Sequence, residues 1–179
     1  MLARVTWVIV LAGLAGGSWA QVPRPLRSGA VVPDTALYES FFYRVYFIDR
    51  VARDAERRGL DGGAALSRFQ RSMGLSDQEM AVLRAVAADW RANFEAFVQE
   101  AAPWAEAARD RRDANGEPPP DLAPRLKALV EKRRRIVQDG IDRLKAAFGP
   151  VRFFSFDTHV RATSTLDGVT VSRSSPGKQ

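Results

Sequence analysis

The nearest approach to a catalytic grouping in this sequence is Ser155, Asp157 and His159, where His159 is the only histidine of the chain. Serine, aspartate and histidine can perform nucleophilic hydrolysis when their side chains converge on one point. On a helix Ser155 and His159 would be neighbours, whereas Asp157 would point about 200° away from either. No G-x-S-x-G motif supplies the strained turn that often carries a catalytic serine. We therefore expect no enzymatic activity and interpret this segment as the polar face of a closing helix.

Metal and cofactor sites are also not expected. The chain has no cysteine and one histidine, which makes zinc ligation improbable. It lacks the Glu-x-x-His pairs of di-iron bundles, and Gly62-Gly63 is not followed by the Lys-Ser/Thr of a phosphate loop. Several carboxylates lie among arginines and are most simply solvated helix faces: Asp49, Asp54, Glu95 and Glu106.

The densest basic region of the chain runs from Arg125 to Arg135. It is either a helix face that meets water or an anion-contacting patch, for which Lys132, Arg134 and Arg135 are the candidates. Arg133 occupies a position where the seam of the helix would favour an apolar residue. Its stem is expected to lie over the core while its guanidinium reaches a Glu or Asp of a neighbouring helix.

The predicted first helix, residues 34–58, carries more aromatic residues than one buried stripe can hold. One stripe begins with Leu37 and Phe41, and a second beside it contains Tyr38, Phe42 and Tyr46. A further pair, Tyr43 and Phe47, lies about 140° from the core centre. This pair is covered by another segment of the chain, is covered by a partner, or is itself a binding patch.

The N-terminal 20 residues are typical of a signal peptide. Arg4 gives a positive start, an apolar run follows, and Ser18-Trp19-Ala20 offers a cleavage site. An uncleaved membrane anchor is the alternative, although the apolar run is shorter than the roughly 20 residues that span a bilayer. With no cysteine, neither lipoprotein anchoring nor a disulfide is possible. We expect a periplasmic or secreted protein without a transmembrane span after cleavage.

The net charge of +6 favours anionic partners: phospholipid headgroups, lipopolysaccharide, acidic polymers or unfolded polypeptides. Nucleic acid is not expected as a partner of an exported protein.

The elements that must position these residues are all helical. A short helix at 64–73 follows the first helix, and Ser76 with Glu79 forms a capping box that begins a long helix reaching about residue 114. Pro103 predicts a kink or a break in it, and the kink is favoured because the apolar seam keeps its phase beyond the proline. After Pro118-Pro119-Pro120, a helix from 121 or 123 to about 147 and a closing helix at 151–161 are expected. The seam of the long helix repeats at steps of three and four: Met80, Leu83, Ala87, Trp90, Phe94, Phe97, Ala101, Trp104 and Ala108.

The predicted fold class is therefore all-α, an antiparallel bundle of three long helices with a short helix between the first and second and a short closing helix. The long helices are expected to have matched lengths of about 24, 26 and 26 residues, the second counted up to Pro103. The predicted organisation is a signal peptide at 1–20, an extended leader at 21–33, a helical bundle domain at 34–162 and a disordered tail at 163–179.

Four local patterns together resemble a group of exported all-helical bacterial proteins with no assigned function, over about residues 35–162. They are Phe41-Phe42-Tyr43, Gly74-Leu75-Ser76, Pro118-Pro119-Pro120 and Phe153-Phe154-Ser155-Phe156-Asp157. The resemblance implies fold and export, not chemistry. Leu75, Ser76 and Glu79 are also faintly similar to the Leu-Thr-x-x-Gln motif of periplasmic helical stress chaperones, and the capping box accounts for them equally well.

Two functions fit these observations. The first is a non-enzymatic binding or chaperone-like module that captures an unfolded or amphipathic polypeptide, or an anionic envelope component. The second is a structural homo-oligomer of the envelope in which Tyr43 and Phe47 form the subunit interface.

Overall fold

The computed structural model describes residues 33–113 and 116–163, and these residues form five helices and no strand. The helices are α1 (Asp34–Arg57), α2 (Gly63–Met73), α3 (Asp77–Asp110), α4 (Ala123–Phe148) and α5 (Pro150–Thr163). The all-α prediction is confirmed, with the short α2 between α1 and α3 and the short α5 at the end. The predicted signal peptide, the leader up to residue 32 and the tail from residue 164 lie outside the described residues. Thr163, the first residue of the predicted tail, is the last residue of α5.

The capping box that begins α3 is formed as predicted. The backbone N–H of Glu79 donates to the Ser76 hydroxyl at 3.2 Å, and the backbone N–H of Ser76 donates to the Glu79 carboxylate at 2.8 Å. Gly74 ends α2 at a φ of 60°, a left-handed conformation that glycine adopts without steric cost. Leu75 and Met80 on either side of the box are both buried in the core. The sequence thus fixes the junction of α2 and α3 locally.

Pro103 does not break α3. The helix has 34 residues in all, runs on beyond the proline and ends at Asp110, four residues before the predicted end. Gln99 and Pro103 both lie on an exposed side of the helix, where water can satisfy the carbonyl that has lost its N–H donor. The alternative of a break is wrong, whereas the part of α3 before Pro103, residues 77–102, has the expected 26 residues. The whole length of α3, about 51 Å, exceeds the about 36 Å of the 24-residue α1.

The main core is formed by side chains from all five helices. The seam of α3 faces it as predicted, with Trp90 buried between Phe42 of α1 and Phe94 of its own helix. Phe156 of α5 packs edge-on against Phe41 at 5.6 Å and so closes the core from the other side. The largest fully buried side chains are Tyr38, Phe42, Phe156, Leu37, Leu83, Leu144, Val45, Val137 and Val160.

Beyond this core, α3 and α4 continue as a pair of helices packed against each other. Two further groups of buried residues contain side chains of α3, of α4 and of Leu122 just before α4, and none from the other described helices. We call residues 97–110 with residues 122–130 the arm. Ala101 and Ala108 are buried there, and side chains this small permit close approach of the two helices. The arm exists because α3 is longer than α1 can cover.

Cross-helix ion pairs join the three long helices. Arg84 of α3 contacts Asp49 of α1 at 2.6 Å, and Arg143 of α4 contacts Asp89 of α3 at 2.8 Å. In the described residues, none of the helices combines the length and apolarity that crossing a bilayer would require.

Candidate partner-binding surface

The two inner aromatic stripes of α1 are used for packing. Tyr38 and Phe42 are buried, and Tyr46 is half-buried against the core. Phe42 fits a space left by Gly140 of α4, where an added Cβ would come within 2.8 Å of the phenylalanine ring. The prediction that a second stripe lies beside the first is confirmed, and both stripes face the core.

The outer face of α1 is different. Tyr43 is 41% exposed, Phe47 51% and Val51 42%. These residues are four apart, so they form one line about 12 Å long on the surface of the helix. We call Tyr43, Phe47 and Val51 the α1 stripe. Cover from within the chain is not found in the described residues, because half of the Phe47 ring surface stays open. Val51 was missed from the sequence because a single valine among arginines gives no signal of its own.

One arginine from α3 lies against this face. The Arg91 guanidinium is 5.9 Å from the Tyr43 ring centre and 5.6 Å from that of Tyr46, close enough for a cation–π interaction. It also contacts Glu95 one turn further along α3 at 2.7 Å. Arg91 therefore supports one edge of the α1 stripe and leaves Phe47 uncovered.

Arginines of α1 surround the stripe and share few carboxylates. Asp49 pairs with Arg53 at 2.6 Å in addition to Arg84, and Asp54 pairs with both Arg50 and Arg57. The hydrogen bond from Arg57 lowers the pKa of Asp54. Asp49 is buried, so its interpretation as a solvated carboxylate is wrong; Arg84, 35 residues away, provides the charge that permits its burial. An open surface depression on α1 is lined by Tyr46, Arg50, Arg53, Asp54, Glu56 and Arg57.

The basic region of α4 is largely paired. Lys132 and Arg125 share Glu100 of α3, where the hydrogen bond from Lys132 lowers the pKa of Glu100. Arg134 pairs with Glu131 of its own helix at 2.9 Å. Within the described part of the chain, Arg135 is exposed and has no ion pair. Of the candidate patch Lys132, Arg134 and Arg135, Arg134 thus has a carboxylate of its own, Lys132 shares one with Arg125, and Arg135 has no ion pair among the described residues; the ion pairs of the first two involve α3 and α4, not α1.

Arg133 behaves as predicted. Its guanidinium donates two hydrogen bonds to the Glu39 carboxylate, at 2.9 and 2.7 Å, and lies 6.0 Å from the ring centre of Phe94. This two-pronged contact joins α4 to α1, one turn before Tyr43.

Ser155, Asp157 and His159 do not form a reacting group. Ser155 is exposed, whereas Asp157 is buried and accepts hydrogen bonds from the Tyr38 hydroxyl at 3.0 Å and from Arg161 at 2.9 Å. Burial, together with the nearby Asp157, raises the pKa of Tyr38, which keeps the hydroxyl protonated as a donor. The polar-face interpretation is therefore wrong for Asp157. Its partner Tyr38 is 119 residues away, beyond the reach of local pattern.

Arg161 completes this cluster by bridging two carboxylates. It contacts Asp157 of its own helix and Asp34 of α1, each at 2.9 Å. Burial opposes its charge, but the hydrogen bonds to both carboxylates outweigh that cost and raise its pKa. The cluster fixes α5 onto the start of α1.

A second anchor of α5 uses the capping box. The Arg152 guanidinium contacts the Glu79 carboxylate at 2.6 Å and donates to the Gly74 carbonyl oxygen at 2.7 Å. The hydrogen bond from Arg152, with those of the capping box, lowers the pKa of Glu79 to about 2. The sequence shows the cap and not this second partner.

No group of three or more potential metal-ligating side chains occurs among the residues that the structure describes. Comparisons with protein-family models, with curated proteins and with solved structures find no match to this chain.

Proposed function

We propose that this protein is an exported, non-enzymatic binding or chaperone-like module of the cell envelope, in the periplasm or secreted. Its partner is a partly unfolded or amphipathic polypeptide, and an anionic envelope component is the second choice. The observation that carries the proposal is the exposure of Tyr43 and Phe47 on a helix whose other aromatic side chains are at least half buried. No cofactor, metal or nucleic acid takes part.

Two kinds of contact would hold such a partner. The α1 stripe offers apolar side chains whose spacing matches that of the apolar face of an amphipathic helix. The arginines around it attract carboxylates from a distance and accelerate encounter without fixing one bound geometry. Weak binding of this kind suits transient capture.

We further propose that α1, α3 and α4 form an antiparallel bundle that presents α1 as a rigid platform. Contacts between α1 and α3 support this, because Asp49 late in α1 meets Arg84 early in α3. Between α3 and α4 the order is again reversed: Asp89 meets Arg143, and Glu100 meets Arg125.

The experiment is suppression of aggregation of a chemically denatured client enzyme, followed by light scattering. We expect the purified mature protein to slow aggregation and the double variant Tyr43→Ser/Phe47→Ser to lose most of this effect. Phe154→Ser is the matched control, since Phe154 of α5 is a similarly exposed aromatic residue, at 55%. Equal activity of the two variants would contradict the proposal, and so would inactivity of the parent protein towards every client.

The second candidate is a structural homo-oligomer of the envelope, in which the α1 stripe is the subunit interface. The same exposed side chains support it. Light scattering at micromolar concentration distinguishes the two functions. A dimer that dissociates on Phe47→Asp would favour the oligomer, whereas a stable monomer favours the binding module.

A further inference from the structure

The charge around the α1 stripe is the starting point. Four guanidinium groups share the two carboxylates of Asp49 and Asp54. A fifth, that of Arg58, donates to the backbone carbonyl oxygen of Asp54 at 3.1 Å. Arg53, Asp49 and Glu56 lie about 120° or more from Phe47 round the helix, whereas Arg44, Arg50, Arg57 and Arg58 lie within about 80° of it beside one carboxylate, that of Asp54, which leaves a net charge of about +3 on this side of α1.

The arginines nearest the stripe have hydrogen-bonding capacity to spare. The side chains of Arg50 and Arg57 are 62% and 77% exposed, and Arg50 lies 3.8 Å from Asp54, too far for a hydrogen bond. Arg44 and Arg50 are three residues either side of Phe47, so they lie about 60° from it on opposite sides of the helix. The apolar line therefore has a cation on each flank.

A second copy of this chain does not suit such a surface. A two-fold interface places the same patch of both subunits face to face, so the arginines of one copy would meet those of the other. Like charges across an interface oppose association. An extended anionic lipid surface fits less well than a polypeptide, because it would press Asp54, three residues beyond Val51 on the same side of α1, against negative headgroups, whereas a helix can place its carboxylates away from Asp54.

We propose that the α1 stripe binds an acidic amphipathic helix of another polypeptide, with apolar residues at three- and four-residue spacing and carboxylates on both flanks. The apolar residues cover Tyr43, Phe47 and Val51, and the carboxylates bind Arg50 and Arg57 on one flank and Arg44 on the other. This inference rests on the proposed function and adds the chemistry of the partner to it.

The test uses three labelled synthetic amphipathic peptides with one leucine stripe and flanks of glutamate, glutamine or lysine. Binding to the mature protein is followed by fluorescence anisotropy at low and high salt. We expect the glutamate peptide to bind about 10-fold more tightly than the glutamine peptide, and the lysine peptide to bind most weakly. High salt should reduce the difference, since exposed charges are screened.

The variant Arg50→Gln/Arg57→Gln should remove most of the preference for the glutamate peptide over the glutamine peptide, because Arg44 alone remains beside the stripe on the other flank. Arg112→Gln/Arg135→Gln is the matched control, since both arginines are exposed and lie away from α1. It should change the preference less than about 2-fold, in line with the weak effect of distant surface charges.

Several results would overturn the inference. Equal binding of the glutamate and lysine peptides would do so, as would an unchanged preference in Arg50→Gln/Arg57→Gln. Tighter binding to vesicles of anionic phospholipid than to the glutamate peptide would identify a membrane surface instead. If no peptide binds but client protection still depends on Phe47, the inference fails and the proposed function stands. If client protection is also absent, both fail.

Discussion

The two aromatic faces of α1 use the same residue types for opposite purposes. Tyr38, Phe41 and Phe42 face the core, where α3, α4 and α5 cover them. Tyr43 and Phe47, only a few positions along the same helix, meet solvent. The two faces differ in packing: among the described residues, none of the other four helices covers the outer side of α1.

This difference teaches that aromatic content alone does not indicate function. The buried face accounts for stability, so substitution there should lower the free energy of unfolding. Binding of a partner should be lost only when the protein unfolds. Substitution on the exposed face should weaken binding of a partner and leave the free energy of unfolding almost unchanged. The predictions that follow test whether the two faces are separable, from the largest expected effect to the smallest.

Truncation of the buried face should have the largest effect. Phe42 is fully buried between Trp90 and Gly140, so Phe42→Ala removes a large apolar side chain and leaves a cavity. We expect a loss of about 3–5 kcal/mol in the free energy of unfolding, measured by urea denaturation followed by circular dichroism. A loss below about 1 kcal/mol would mean that the face is not part of a close-packed core.

Removal of one hydroxyl from the buried face should have an intermediate effect. Tyr38→Phe keeps the ring and deletes the hydrogen bond to the buried Asp157. We expect the free energy of unfolding to fall by about 1–3 kcal/mol, because a buried carboxylate loses a donor. Tyr43→Phe is the matched control on the exposed face and should change it by less than about 0.5 kcal/mol. Equal effects of the two substitutions would remove the distinction between the faces.

Acid should lower the free energy of unfolding, because it weakens the Glu79–Arg152 contact that holds α5 over the buried face. The hydrogen bond from Arg152, together with those of the capping box, lowers the pKa of Glu79 from 4.5 to about 2, so the carboxylate favours the folded state when ionised. This contribution is complete above pH 4.5 and is lost as the pH falls through about 2. It should amount to about 1–2 kcal/mol after solvent screening is allowed for. Arg152→Gln keeps the capping box and should flatten this part of the pH dependence of urea unfolding, and an unchanged acid slope would contradict the assignment.

Much of the fold could be predicted from the sequence because its signals are local. The Ser76 and Glu79 cap, the glycine after α2 and the apolar seam of α3 each act over a few residues, and each is observed. The pairing of Arg133 with a carboxylate was also predictable, because a charged residue on a seam needs a partner. Which carboxylate it would be was not, since Glu39 is 94 residues away.

The remainder depends on contacts between distant segments. Asp49 and Asp157 each pair with an arginine four residues along the chain, but their burial also depends on Arg84 and Tyr38 on other helices, which no local pattern indicates. The extension of α3 beyond Pro103 was predicted, because the apolar seam keeps its phase through Trp104 and Ala108, but its packing against Leu122 and Leu126 was not, since those residues are distant in sequence. The candidate surface was half predicted: Tyr43 and Phe47 were identified, and Val51 and the shared carboxylates became visible only in three dimensions.

The account's central claim is that the α1 stripe binds a partner and contributes little to the fold, and one paired measurement tests it directly. Unfolding by urea and suppression of client aggregation are measured on the same preparation of Tyr43→Ser/Phe47→Ser, beside Phe154→Ser. We predict a change in the free energy of unfolding of less than about 1 kcal/mol with loss of most client protection. Client protection that survives in a well-folded double variant, or a double variant as unstable as Phe42→Ala, would contradict the account.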